Sequence, residues 1–387
     1  MKLLFLSKYP PIQGGESAKA YWLAKGLGER GHSISVVSNC LEVEEMYRSK
    51  LDDKDMEILQ PKRVKLHSTV PIKVPKFIPQ TNPYSEKLVS LALGVVEDIN
   101  PDLIFSWYLL PYGVTAHITS KLTGVKYTIK HAGSDITRLY HDPQLHNFLK
   151  RVIVDANFVF TNFRMKNFFE ELGCKNVLIS PRGISNEFNP YGEITNLKEE
   201  YNLDIDSGKT FLFLGKISKP KGIGYLVDAI SEIKTESHLL IAGDGPYKES
   251  CKRKISESGL EDKIHFLGTL PPWKIPPLIR AVKSVIIPEY NFGVPIHQSS
   301  IPYEALLCAK TPIISKEIAF KYGELSDYFI NVDPVDMNNF AKTLEGVLEN
   351  EDMNNILIRD YPKIREIVGD FNKYVEKMED LLIKAIS

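Results

Sequence analysis

The stretch TFLFLGKISKPKGIGYLVDAI, residues 210–230, decides how the chain is read. It opens with an apolar run, Thr210 to Leu214, of the length and composition of a buried strand. It closes with the helical pattern Ile223 to Ile230. Between them one turn collects Gly215, Lys216, Lys219, Lys221 and Gly222. A strand-to-helix turn with unpaired backbone N–H groups and flexible cations is how α/β proteins receive phosphate.

Outward from that turn, short apolar runs alternate with amphipathic stretches, the pattern of a parallel sheet covered by helices. After Phe211–Leu214 the same half predicts strands at 238–241, 263–266, 284–287, 312–315 and 329–332. The first half predicts strands at 2–6, 33–37, 103–106, 126–130, 158–161 and 177–180, with a helix over 17–31 whose Ala20, Leu23, Ala24 and Leu27 share one face. Two consecutive βα arrays predict an α/β fold of two Rossmann-like domains facing across a cleft. The first spans 1–183 and the second 209–371, joined by a polar linker, 184–208, that lacks periodicity. A last helix, 372–387, shows one apolar face.

Composition agrees with that size: 387 residues, 43% of them hydrophobic, suit two domains. Net charge is −1, which excludes a general pull toward nucleic acid. It is uneven, with 24 basic and 19 acidic residues in 1–190 against 24 and 30 in the rest. Four scattered cysteines, Cys40, Cys174, Cys251 and Cys308, form no CxxC and no metal-ligand spacing, and read as reduced thiols of a cytoplasmic protein. The N-terminus reads as a first strand rather than a leader, and the uncharged run 103–120 is broken by Pro111, Gly113 and His117.

In open α/β sheets ligands bind at the carboxyl ends of strands, so those ends hold the candidate residues. The first strand leads into Lys8-Tyr-Pro-Pro-Ile-Gln-Gly-Gly-Glu16, where Gly14 and Gly15 open a helix and let a ligand approach backbone. The pattern is not GxGxxG, and Asn39 and Cys40 stand where a dinucleotide ribose needs an acid, which argues against a nicotinamide site. His131, after the strand ending at Lys130, can hydrogen-bond a substrate hydroxyl, and Asp135 can orient it or cap the next helix. Gly243 and Asp244 belong to Gly-Asp-Gly-Pro, which is also sound turn chemistry by itself. Glu289, Phe292 and Gly293 follow another strand. Glu304 falls in the first turns of the next helix, where it can cap or grip a sugar diol. Asp204-Ile-Asp206 resembles a metal motif but lies before a strand, so it reads as a surface turn.

Tyr9-Pro-Pro-Ile-Gln-Gly-Gly15, Tyr21 to His32, Asn100 to Ile104, His131-Ala-Gly-Ser-Asp135, Ile179-Ser-Pro-Arg-Gly-Ile184, Gly243-Asp-Gly-Pro246 and Phe266-Leu-Gly268 together resemble the retaining glycosyltransferases of family 4, which have the two-domain GT-B fold. The resemblance runs over more than three quarters of the chain. It implies a retaining hexosyl transfer from a UDP-, GDP- or ADP-sugar to an acceptor hydroxyl, with no metal or other cofactor required. It also implies that the last helix crosses back onto the first domain. Lys216 and Lys221 would hold the nucleotide diphosphate beside Gly215, and His131 and Glu289 would complete the catalytic set. Gly14, Gly15, Gly243, Asp244, Phe292, Gly293 and Glu304 would contact the donor, and Asp135 the acceptor side. The chain departs from the family in two places. Lys216 replaces the usual Arg, so a point charge stands in for a bidentate fork. The usual pair of glutamates eight positions apart is stretched, because position 296 is Ile and the next acid upstream is Glu289. Either Glu289 reaches the site through a looped-out Pro295-Ile-His297, or the role of the first glutamate is gone.

The segment 58–85 carries Lys62, Arg63, Lys65, Lys73 and Lys76 with no acid, among prolines and apolar residues. It reads either as a solvated edge of the first domain or as a docking surface for the acceptor, and so as a peripheral contact with the cytoplasmic membrane face. The acceptor stays open between a lipid-linked molecule, a sugar phosphate and another small molecule. Two other readings also stay open: a catalytically silent nucleotide-sugar-binding protein, and a sugar-nucleotide epimerase of the same fold.

Overall fold

The computed structural model describes residues 1–72, 83–133, 135–291, 293 and 298–387. These divide into two compact units, one of Met1–Ile12, Glu16–Gly183 and Phe371–Ser387, the other of Gln13–Gly15 and Ile184–Asp370.

The first unit is built on seven strands: β1 Lys2–Ser7, β2 Ser33–Ser38, β3 Val64–Ser68, β4 Leu103–Trp107, β5 Tyr127–Lys130, β6 Phe158–Thr161 and β7 Val177–Ile179. They pair in the order β3-β2-β1-β4-β5-β6-β7, every neighbour parallel. The central strands are buried along their length, as in β4, where all five residues are buried. That is the mark of a sheet covered on both faces and explains why the runs are apolar rather than alternating. The order reverses between β1 and β4, so the loops leaving those two strands diverge and leave room for a ligand.

The second unit repeats the plan with β8 Thr210–Leu214, β9 His238–Ala242, β10 Ile264–Gly268, β11 Ser284–Ile287, β12 Pro312–Ser315 and β13 Ile330–Val332, again all parallel, in the order β10-β9-β8-β11-β12-β13. Its reversal falls between β8 and β11.

The stretch read as a linker is part of the second unit's body. Ile184, Phe188 and Leu197 enter its core, and Asn196 caps a short helix, Leu197–Tyr201. A buried arginine nearly a hundred residues away organises it. Arg280 donates to the carbonyls of Glu187, Asn189 and Glu193 at 3.0, 2.9 and 2.6 Å. No periodicity was visible because the stretch is held by these bonds rather than by an amphipathic face. Asp204 and Asp206 are surface groups, one paired with Lys198 at 2.8 Å, the other accepting the Gly208 N–H at 2.7 Å.

The last helix, Phe371–Ile386, belongs to the first unit and buries Phe371, Tyr374, Val375, Met378, Leu382 and Ala385. Glu379 fixes its rotation by accepting from Arg30 and His32, each at 2.5 Å. All four cysteines are free and buried, and burial pushes the thiols of Cys174 and Cys251 up to about 11 and that of Cys308 to about 12. Among the described residues no helix is long and apolar enough to cross a membrane.

Candidate active site

In the second unit the opening turn sits on its strand as expected. Gly215 N–H donates to Ala242 at 3.0 Å and Ile217 N–H to Asp244 at 2.9 Å, so the loop after β8 is pinned to the loop after β9. Lys219–Lys221 forms a tight turn, and Gly222, at φ 73°, starts the helix Ile223–Glu232. A Cβ on Gly222 would land on the Pro288 carbonyl oxygen, and Tyr290 N–H donates to the Pro220 carbonyl at 3.0 Å. The loops leaving β8 and β11, on either side of the topological reversal, are thereby stitched backbone to backbone. This brings Lys221 and Glu289 together: the Glu289 side chain is buried and its carboxylate accepts from the Lys221 ammonium. Lys216 stands exposed two residues beyond β8. Asp244 closes its own turn through the Gly245 N–H at 2.7 Å and pairs with Lys248 at 2.6 Å. Glu304 lies in the first turn of the helix Ile301–Leu307, and Gly293 sits at φ 69°. Phe292 and the proposed loop-out at Pro295–His297 lie outside the described residues.

Gly14, at φ 115°, and Gly15, which group with the second unit, have no heavy atom within 4 Å of a built Cβ, and Gly15 starts the helix Gly15–Glu29. The other candidates lie in the first unit. His131 is 8% exposed. Its Nδ1 accepts the Gly133 N–H at 3.1 Å, so Nε2 carries the proton and donates to Thr161 Oγ1 at 2.7 Å. Burial, reinforced by the Lys130 charge, pushes its pKa down to about 4. The fold therefore holds His131 neutral, while an unfolded chain takes up a proton below pH 6.5. Stability should be full above pH 6.5 and fall by roughly 3 kcal/mol as pH drops toward 4. Urea unfolding at pH 7, 5.5 and 4 checks this, and His131→Gln should flatten that dependence.

Residues 196–363 match the family model "Glycosyl transferases group 1". Among curated proteins, the N-acetyl-alpha-D-glucosaminyl L-malate synthase of Bacillus anthracis is 26% identical over 283 residues, 69% of this chain and 68% of that one. Among solved structures, sucrose-phosphate synthase from Thermosynechococcus elongatus superposes with a TM-score of 0.69 at 15% identity, covering 99% of both chains. Anabaena HepE in complex with UDP-glucose superposes with a TM-score of 0.69 at 18% identity, covering 99% of this chain and all of that one. Over residues 196–363 the chain is similar to the group 1 glycosyl transferases. Its two parallel α/β sheets are those of the GT-B fold.

Two expectations for the transferase's acceptor side need correction. Lys62 and Arg63 precede β3, and Arg63 and Lys65 line a groove with Lys2, Ser33 and Asp98. These residues stand where β1, β2 and β3 begin. In a parallel sheet that is the end opposite to the ligand-binding ends, so Lys62, Arg63 and Lys65 lie away from the reversal between β1 and β4. Lys73 and Lys76 lie outside the described residues. Asp135 is fully buried, and its carboxylate accepts the N–H groups of Leu109, Ala132 and Ile136 at 2.9–3.2 Å. It ties the loop after β4 to the loop after β5 instead of facing an acceptor. Burial raises its pKa, with those three bonds acting against the rise.

The transferase also carries a cluster that sequence reasoning missed. Lys130, the last residue of β5, places its ammonium 4.8 Å above the Trp107 ring and 2.6 Å from Ser180 Oγ. Trp107 Nε1–H donates to Glu16 at 2.7 Å, and Lys19 pairs with the other Glu16 oxygen at 2.7 Å. The available signal was a charged residue closing an otherwise apolar strand.

Proposed function

We propose that this transferase moves a sugar from a nucleotide diphosphate donor to an acceptor hydroxyl with retention at the anomeric carbon. The observation that carries the proposal is the turn after β8, which presents Lys216 and Lys221 at a topological reversal with Glu289 bound to Lys221. As the bond from the anomeric carbon to the phosphate oxygen breaks, its electron pair goes to the leaving diphosphate. Lys216 and Lys221 stabilise that growing negative charge, the service expected of preorganised cations aimed at a leaving group. The acceptor oxygen attacks from the face that the diphosphate leaves, and a phosphate oxygen takes its proton, so no protein nucleophile is needed. Glu289 holds Lys221 in place before the donor arrives, and Glu304 grips the ribose. Nothing in this scheme requires a metal. A role for the Lys62–Lys65 edge at an anionic membrane is separate from acceptor binding, and vesicle sedimentation at low and high salt tests it.

The deciding experiment is incubation of the purified chain with UDP-, GDP- and ADP-sugars, followed by NMR of the released or transferred sugar. One donor should turn over and its anomeric configuration should be kept. An inverted product, or no turnover and no nucleoside diphosphate binding with any donor, would overturn the proposal.

A further inference from the structure

At the carboxyl edge of the first unit's sheet, the strand ends contribute a surplus of positive charge. Lys8 follows β1 and lies 5.1 Å over the Tyr108 ring, Lys130 ends β5, Arg164 follows β6 and Arg182 follows β7. The acids of the same strand ends are already engaged: both Glu16 oxygens are taken, by Lys19 and the Trp107 indole, and Asp135 is saturated by backbone N–H groups.

Lys130 differs from the surface lysines around it. An ammonium has three N–H donors. Lys130 uses one on Ser180 Oγ, lies over the Trp107 face, and has no ion pair among the described residues. A cation placed this way is held in position but not neutralised. It sits at the end of the sheet where this class of fold binds ligands.

We propose that the acceptor is an anion bearing a carboxylate or phosphate group, and that Lys130 binds that group. The proposal rests on the transfer reading above, and adds the acceptor's chemical class and the residue that recognises it. Ser180 and Trp107 fix the direction of the ammonium, and its two remaining donors meet two oxygens of the anion. The indole N–H, committed to Glu16, keeps that carboxylate from competing for Lys130.

A pH signature follows from the same surroundings. Burial lowers the Lys130 pKa to about 8, with Glu16 acting to raise it and Lys19 to lower it further. His131 beside it stays neutral, and Tyr374 of the last helix, coupled to Glu16, has its pKa raised by burial and stays neutral as well. Lys130 is thus the group of the cluster that changes charge between pH 7 and 9, and anion binding weakens as it loses its proton.

The test uses the full chain with a saturating nucleoside diphosphate, which occupies the donor site and keeps anions from reporting on Lys216 and Lys221. Succinate and inorganic phosphate are titrated calorimetrically at pH 7, and succinate again at pH 9. At least one anion should bind. If succinate does, its affinity should fall about tenfold by pH 9, as expected for a lysine one unit above its pKa. Lys130→Met should bind the same anion at least tenfold more weakly at pH 7 and show no such fall. Binding of succinate alone assigns a carboxylate acceptor, and of phosphate alone a phosphorylated one. If Lys130→Met does not fold, Lys130→Arg, which keeps the charge, should bind without weakening toward pH 9. Failure of wild type to bind either anion at millimolar concentration, or equal binding by Lys130→Met, overturns the inference. Nucleoside diphosphate binding in the same samples reports on the donor reading separately.

Discussion

Lys216→Ala should lower kcat by about 10²- to 10³-fold, the usual loss when one preorganised group is removed from a developing negative charge. Because Lys216 is exposed, its melting temperature should stay near wild type. Lys216→Arg should retain most activity, since a guanidinium offers the diphosphate two parallel donors where an ammonium offers a point charge. Lys221→Ala should lose turnover to a similar degree but also lose stability, because it strips the cation from buried Glu289. Steady-state kinetics with the accepted donor, alongside thermal melts, separate the two lysines. Activity within twofold of wild type for both alanine variants would remove the turn from the chemistry.

The second large effect is on the scaffold that carries those lysines. Gly222→Ala forces a side chain into a left-handed backbone and drives its Cβ onto the Pro288 carbonyl. The first effect costs about 1–2 kcal/mol and the second about 1–3 kcal/mol, so urea denaturation should show a loss of roughly 2–5 kcal/mol. Gly259→Ala is the matched control: its φ is 63°, with open space around a built Cβ. It should lose only about 1 kcal/mol. Equal losses at the two sites would mean that the contact between the loops after β8 and β11 contributes nothing.

The strands that could be read directly from the sequence were those buried on both faces, such as β4 and β8, where apolar side chains run without interruption. β3, Val64–Ser68, was lost in a basic, proline-flanked segment because it is a five-residue edge strand with Lys65 and His67 among its side chains. The same edge misled the placement of Lys62 and Arg63. A run of charge shows that a segment is solvated, but not which end of a strand it stands at; only the parallel pairing of β2 with β3 decides that. Lys221 and Glu289 were both nominated from strand ends, yet their ion pair spans 68 positions and needed the stitched loops to appear. The Glu16–Trp107–Lys130–Ser180 cluster joins three strand ends and the first turn of the helix Gly15–Glu29, and nothing local in the sequence marks its members as partners. Asp135 shows the opposite limit. Its position was read correctly, but whether a carboxylate faces a ligand or backbone N–H groups depends on its neighbours in space.

The buried cysteines have a practical consequence. A thiol reacts with maleimides as its thiolate, and burial both hides these four sulfurs and pushes their ionisation well above neutral pH. The native chain is therefore close to silent toward alkylating dyes. One cysteine introduced at an exposed position, Lys219 for example, would take the label almost alone, placing a fluorescent reporter two residues from Lys221 without first stripping the protein of its own thiols.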